Sequence, residues 1–354
     1  MINSIKTVGK YLDQPLLVGK LSKTMPAILV GGSALYTAKK TIEAPKKERK
    51  KTAINTGLIL GATAISALAA PKIAAKVVRK PYETFNIKEI KKGNETLINN
   101  FLTKNQVPKE IENILNKGKN KILGLKEISK LDKNMQKSDA GKNFMEKFIP
   151  EPQNVTSKDI VKDMGRLSVL GFLPVAGGIT GGIVADNITD KPNWKKKVPN
   201  KIKEGVYQYL ANIFLCNVGA AGALGIMEAA NIKSKSARAA GMLGGIVLTG
   251  VIGGSKIANT FAQKVINPIF DKKETTNNNT IRHAHNHGKC RNNEDRKPEL
   301  LDICLHTDDI ATIAVMSGFK WIEPSLPILY AISGYRAGIG YRNHNVEKQL
   351  NIKA

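Results

Sequence analysis

Only three residues of this 354-residue chain are cysteine and 5% are aromatic, and each scarcity closes off a class of protein. Cys216, Cys290 and Cys304 are too few to staple a fold of this length, so a reducing compartment is expected, with a single Cys290 to Cys304 bridge as the one pairing left open. The aromatics are not interleaved with basic residues, and of 55 basic residues 46 are Lys and only 9 are Arg. Both features argue against a soluble nucleic-acid-binding protein, the reading that a net charge of +26 would otherwise invite. Enzyme signatures are missing too: the chain contains no G-x-x-x-x-G-K-[ST] phosphate loop, H-E-x-x-H helix, G-x-S-x-G elbow or calcium loop. No catalytic residue is nominated, and a non-enzymatic role is the expectation. A secretory signal is not expected either, because 23 residues including Asp13 precede the first apolar run.

What the chain does have is segregation. Its apolar residues gather into long uncharged runs and its charges into the spaces between them. Thr24 to Ala38 has 15 uncharged residues, Thr52 to Pro71 has 20, Leu167 to Ala185 has 19, Gly205 to Met227 has 23 and Ala239 to Ser255 has 17. A helix crossing a bilayer needs about 20 such residues, with roughly 17 as a working minimum. The last four runs meet that length and the first is marginal. A sixth region, Ile310 to Tyr335, carries only Lys320 and Glu323 but is interrupted by Pro324 and Pro327, and reads as a broken helix or a surface pair of short ones. An ionisable pair inside a membrane would point to function. The fold class expected is all-α: a multi-helix membrane protein of four to six crossings.

Small residues fill these runs. Six Gly-x-x-x-Gly spacings occur: Gly57/Gly61, Gly177/Gly181, Gly178/Gly182, Gly241/Gly245, Gly250/Gly254 and Gly334/Gly338. Lipid gives helices no hydrophobic reason to associate, so close backbone approach must supply the attraction, and these glycines mark the faces where helices would touch. Self-association through the same faces is a further expectation. In water each glycine would instead cost a helix about 1 kcal/mol relative to Ala.

The division expected is a basic N-terminal tail and apolar hairpin (1–71), a basic soluble helical module (72–166), a core of three glycine-rich helices (167–255), a polar His/Cys loop (256–309) and an interrupted apolar segment with a tail (310–354). The module holds 21 basic and 12 acidic residues. Its apolar stripes are Leu97, Ile98, Phe101 and Leu102, then Ile111, Ile114, Leu115, Ile122 and Leu125 behind Pro108. The lysine excess points to anionic lipid headgroups as partners. Trp194 beside Lys195, Lys196 and Lys197, with Tyr207 and Tyr209 following, suits the headgroup level. Segments 39–51, 186–204 and 256–309 carry 7, 6 and 9 basic residues, against 4, 3 and 4 in segments 1–23, 228–238 and 336–354. With six crossings that bias places the first set, including the His/Cys loop, in the cytoplasm.

One cluster suggests chemistry. His283, His285, His287, Cys290, Cys304 and His306 gather four of five histidines and two of three cysteines within 24 residues. Imidazole and thiolate are ligands that zinc and other divalent transition metals select. Pro298 reads as a helix start, and a helix continuing to His306 would point Cys304 and His306 to nearly opposite sides. The spacings match no zinc-finger pattern. Two further roles therefore stay open beside the first, a structural or membrane-associating protein: a metal-handling membrane protein, and a soluble basic nucleic-acid binder.

Overall fold

The computed structural model describes residues 2–79, 86–149, 157–232, 234–271 and 320–340, with 311, 313, 315 and 316. Every regular element among them is helical, and no strand occurs among the described residues. The chain is an all-α membrane protein. Four helical stretches are long and apolar enough to cross a bilayer: Arg49–Val78, Asp159–Thr189, Trp194–Ala229 and Ala237–Phe270. The chain divides into two compact units, one of residues 1–28, 81–156 and 314–325, the other of residues 29–80, 157–313 and 326–354.

The first unit is a small helical domain. It contains α1 (Ile2–Leu12), the start of α2 (Pro15–Glu43), and four short amphipathic helices: α4 (Ile87–Lys104), α5 (Lys109–Gly118), α6 (Leu125–Met135) and α7 (Asp139–Phe148). Their apolar faces close on one core that includes Ile98, Phe101, Ile114, Leu115, Leu123, Leu131, Phe144 and Phe148. The Asn86 side chain caps α4 by accepting from the Lys88 N–H, and Ser138 caps α7 by accepting from Gly141. The stripe expected behind Pro108 is only partly right. α5 stops at Gly118, where a side chain would press on the Phe148 ring, so the helical register is lost before Leu125. Leu123 enters the core instead, and Leu125, at the start of α6, is 45% exposed.

Distant segments are sewn into this unit by polar contacts. The buried Gln14 amide donates to the Leu123 carbonyl (2.9 Å) and accepts from the Leu123 N–H (2.8 Å). Lys10 pairs with Asp132 at 2.7 Å. The Asp13 carboxylate accepts from the backbone N–H of Lys320 at 2.8 Å and of Trp321 at 3.3 Å. Lys320 thus belongs to this unit, in the 3-10 turn Lys320–Ser325, and not to an apolar helix.

The second unit is the membrane bundle. Its helices are α3 (Arg49–Val78), α8 (Ser157–Thr189), α9 (Trp194–Tyr209) running through a π turn at Leu210–Phe214 into α10 (Leu215–Ala229), and α11 (Lys235–Ile246). A π stretch at Val247–Gly254 leads from α11 to α12 (Ser255–Phe261), a π turn at Ala262–Ile266 to α13 (Asn267–Asp271), and the last element is the short α14 (Leu326–Ile339). Glycine contacts fix the directions. A Cβ at Gly177 would lie 2.8 Å from the Ala62 carbonyl oxygen and one at Gly181 would lie 2.7 Å from that of Leu58, so α3 and α8 are antiparallel. A Cβ at Gly178 would lie 2.5 Å from the Gly334 carbonyl carbon and one at Gly182 would lie 2.8 Å from that of Gly338, so α14 runs parallel to α8. Backbone meets backbone here because neither helix carries a side chain at the crossing.

Candidate functional site

Charges inside a membrane bundle are expensive, so where they occur they mark the place to look for function. Five described charges of the bundle are buried: Arg238 on α11, which pairs with Glu228 on α10, and four that stand together. Asp186 on α8, Lys201 and Glu204 on α9 and Arg336 on α14 are all at most 8% exposed, and Glu204 is fully buried. The Lys201 ammonium lies 3.1 Å from the Asp186 carboxylate and donates to the Gly338 carbonyl. Arg336 Nε stands 4.0 Å from Glu204 Oε1. Acids and bases stand beside one another here, and pairing of that kind is what makes burying them tolerable.

From this quartet a line of amides leads into the bundle. Gln208 Nε2 donates to Glu204 Oε1 at 2.8 Å, and Asn212 Nδ2 donates to Gln208 Oε1 at 3.0 Å. Residues four apart share one helix face, so Glu204, Gln208 and Asn212 stack in a column. Beyond Asn212 the π turn intervenes, with the Leu215 N–H bonded back to the Leu210 carbonyl five residues earlier. A π turn admits one extra residue, so Asn217, five residues on, takes the place that four would have given. Asn217 is 1% exposed, and its Nδ2 has no hydrogen-bond partner among the described residues. At 1.5 Å per residue the column from Glu204 to Asn217 is about 20 Å long, against about 30 Å of bilayer hydrocarbon.

α14 supplies the facing wall. Lys201 meets Gly338, Glu204 meets Arg336, and Ile213 and Tyr330 both border Gly171, so α9 and α14 are antiparallel. Three residues per step along α14, Ser333 and Tyr330 follow Arg336 down the same helix, 2% and 1% exposed. The result is a polar seam where α9 and α14 meet at Lys201, Glu204, Arg336 and Gly338, with α14 packed on α8 through its glycines.

The other side of the α9 to α10 rod packs on the last span through small residues. Gly219 meets Gly245, Gly250 meets Cys216, and a Cβ at Gly254 would lie 3.0 Å from Ala211 Cα. Gly241 faces the Met227 side chain. The Thr249 hydroxyl donates to the Leu215 carbonyl at 2.7 Å, and Tyr207 and Ser255 share a 2.9 Å hydrogen bond. Of the glycines picked out in the sequence, Gly177, Gly181, Gly241, Gly245, Gly250 and Gly254 therefore stand at crossings within the chain. Gly57 has only a Thr37 methyl at 3.8 Å, and Gly61 has nothing within 4 Å of where a Cβ would sit.

The bundle ends differ in charge. The Thr189 hydroxyl donates to Asn55 at 2.8 Å, which brings the turn before α3 and the turn after α8 to the same end. Lys39, Lys46, Lys47, Arg49, Lys50, Lys51, Lys191, Lys195 and Lys196 are exposed there. The Lys197 ammonium, 2.7 Å from Asp190, helped by the Asn193 amide and the Lys51 charge, holds that carboxyl below the usual carboxylate range. Lys195 stacks over the Trp194 ring at 5.7 Å. The C-terminus of α14 lies at this end as well, beside Lys201, so segment 336–354 starts on the lysine-rich side and not opposite it as the charge count proposed.

His283, His285, His287, Cys290, Cys304 and His306 lie outside the described residues, and among the described residues no group of His, Cys, Asp and Glu could hold a metal ion. Sequence reading overlooked the seam. Its signal was nonetheless printed in the run Gly205 to Met227, where Gln208, Asn212 and Asn217 are the only amide side chains and stand four and five apart. Comparison with family models, curated proteins and solved structures finds no match.

Proposed function

We propose that the protein is a structural membrane protein whose helical bundle engages an anionic leaflet through one lysine-rich end. The observation that carries this reading is the ring of nine exposed Lys and Arg residues at one end of the bundle, with Trp194 among them. Each cation near an anionic surface contributes about 1 kcal/mol of attraction. Fixed to a bundle that cannot leave the bilayer, they select lipids without needing to supply the affinity. The positive-inside bias makes this end, and the His/Cys loop that follows α13, cytoplasmic.

The test is lipid retention. Protein purified in mild detergent from a mixed phosphatidylglycerol and phosphatidylcholine membrane is expected to carry phosphatidylglycerol in excess of the bulk ratio. Replacing Lys46, Lys47, Lys195 and Lys196 with Gln should bring the bound lipid back to that ratio. Equal retention of both lipids by the native chain would refute the reading. A second reading, metal handling by the loop, is favoured by the gathering of six ligand-type residues between His283 and His306.

A further inference from the structure

We propose that the bundle is built for a thin bilayer and gathers lipids with short acyl chains around itself. This goes beyond the headgroup reading, because it concerns the chains. The observation that carries it is a stagger between the apolar bands of two helix pairs.

The packing contacts give each helix a height. On α8, Gly177 and Gly181 face α3, while Val175 and Ile179, two residues away and so about 200° round the helix, border Gly205 on α9. The last span lies on the other side of the α9 to α10 rod, so α3, α8, the rod and the last span form a row. Gly177 meets Ala62, so the middles of the runs Thr52 to Pro71 and Leu167 to Ala185 coincide. The rod is out of step with them. Gly171 meets Ile213, which puts Cys216, the middle of the run Gly205 to Met227, level with Ser168 and about 12 Å from Ala176, the middle of the α8 run. The last span keeps step with the rod, Gly245 against Gly219 and Gly250 against Cys216.

Exposed charges follow the stagger. Ser66 meets Gly177 and Val78 meets Gly165, so exposed Lys72, midway between them, is level with Gly171 and hence with Ile213 inside the rod's apolar run. Exposed Lys256 follows Ser255, which is bonded to Tyr207, and is level with Gly177 inside the α8 run. Asp159, exposed on α8, is level with Gly225, beside Ile226, which is 73% exposed. A slab about 30 Å thick and square to the helices would bury these charges. Upright, the two bands share only about 15 Å, from Leu167 to the level of Gly205. Tilting aligns them better: the pair centres are two interhelical spacings, about 18 Å, apart, so the stagger needs a tilt of about 35°. A 19-residue run then reaches across about 23 Å instead of about 28 Å. Both arrangements call for a hydrocarbon layer thinner than usual.

Chain-length competition tests this. In full-length protein carrying Trp194→Phe and Trp321→Phe, a single Trp reporter replaces Leu248 on the last span or Ile65 on α3, which are 67% and 72% exposed. Each is reconstituted in brominated dioleoyl phosphatidylcholine, which quenches the reporter, mixed with dimyristoleoyl, dioleoyl or dierucoyl phosphatidylcholine. The short-chain dimyristoleoyl lipid is expected to displace the quencher about twofold or more better than the dioleoyl lipid, and the long-chain dierucoyl lipid worse. Lys72→Leu with Lys256→Leu extends both bands and should shift the preference back towards the dioleoyl lipid. The reporters in the otherwise native bundle decide the matter even if that variant fails to fold. Equal displacement by all three lipids, best displacement by the dioleoyl or dierucoyl lipid, or a folded double-Leu variant that keeps the short-chain preference would each overturn the proposal. All three lipids share one headgroup, so the result is independent of phosphatidylglycerol retention.

Discussion

Consider Gly178→Ala. A Cβ at Gly178 would sit 2.5 Å from the carbonyl carbon of Gly334 and 3.1 Å from its Cα. Comfortable carbon contacts are about 3.5 to 4.0 Å, so α8 and α14 must part by about 1 Å locally. Neither neighbour can swing aside, because both atoms are backbone. A gap of that size forfeits a quarter to a half of the dispersion between surfaces that had touched, and overpacking of this kind costs about 1 to 3 kcal/mol. Gly182→Ala, against Gly338, should cost about the same, and since both act on one helix pair the double variant should fall short of the sum. Gly61→Ala is the internal control: it meets nothing within 4 Å and exchanges glycine for the best helix former, so it should be neutral or stabilising by up to about 1 kcal/mol. The assay is equilibrium unfolding in dodecylmaltoside micelles titrated with sodium dodecyl sulfate, followed by circular dichroism. If Gly178→Ala unfolds at the same detergent fraction as Gly61→Ala, the glycine seam does not hold α14 and the packing argument fails.

Glu204→Gln and Arg336→Gln should each destabilise the bundle, with a coupling of about 0.5 to 3 kcal/mol between them in a double-mutant cycle; additive losses in the same unfolding assay would show that the two do not interact. In the first unit Glu127 is partly buried, which raises its affinity for a proton, but the Lys117 hydrogen bond, the Gly124 N–H and the Lys117 charge outweigh that and hold its carboxyl below the ordinary glutamate range. Its stabilising contribution is therefore present above the unfolded-state value and lost as pH falls through the lower folded value; Glu127→Gln should flatten the acid limb of a stability titration of the full chain, and an unchanged limb would contradict the assignment. If the His/Cys loop handles a metal, elemental analysis of purified protein should find zinc or another divalent transition metal that the His283, His285 and His287 alanine triple variant lacks, and metal-free protein in both cases would end that reading.

The membrane bundle was legible in the sequence because length and the absence of charge are local properties. The runs starting at Thr52, Leu167, Gly205 and Ala239 all lie in helices that can span. Which glycine meets which is a property of two helices at once. Gly178 and Gly182 carry the contact with α14, a helix whose partner glycines stand some 150 residues further on, and nothing in either segment names the other. The same limit hid the first unit, which takes α1 and the Lys320–Ser325 turn from opposite ends of the chain through Gln14 and Asp13.

The seam was missed for a different reason. Reading for spans treats any charge as the edge of a helix, so Glu204 and Lys201 were assigned to a loop and Arg336 to a tail. Each is in fact buried, and each is neutralised by a residue that the same rule also sent to a loop or tail. The rule fails where charges cancel across helices, because the membrane penalises uncompensated charge and not the presence of charged residues. A sequence can still betray such a place through amides, which no positive-inside count includes. Gln208, Asn212 and Asn217 interrupt an otherwise apolar run at spacings that only a helix with one π turn makes collinear. Where amides in an apolar run line up on one face and a charge stands at the head of the line, the expectation should be a compensating charge on a neighbouring helix. Here that charge is Arg336, and it sits on the short α14, the helix the hydropathy pattern read least well.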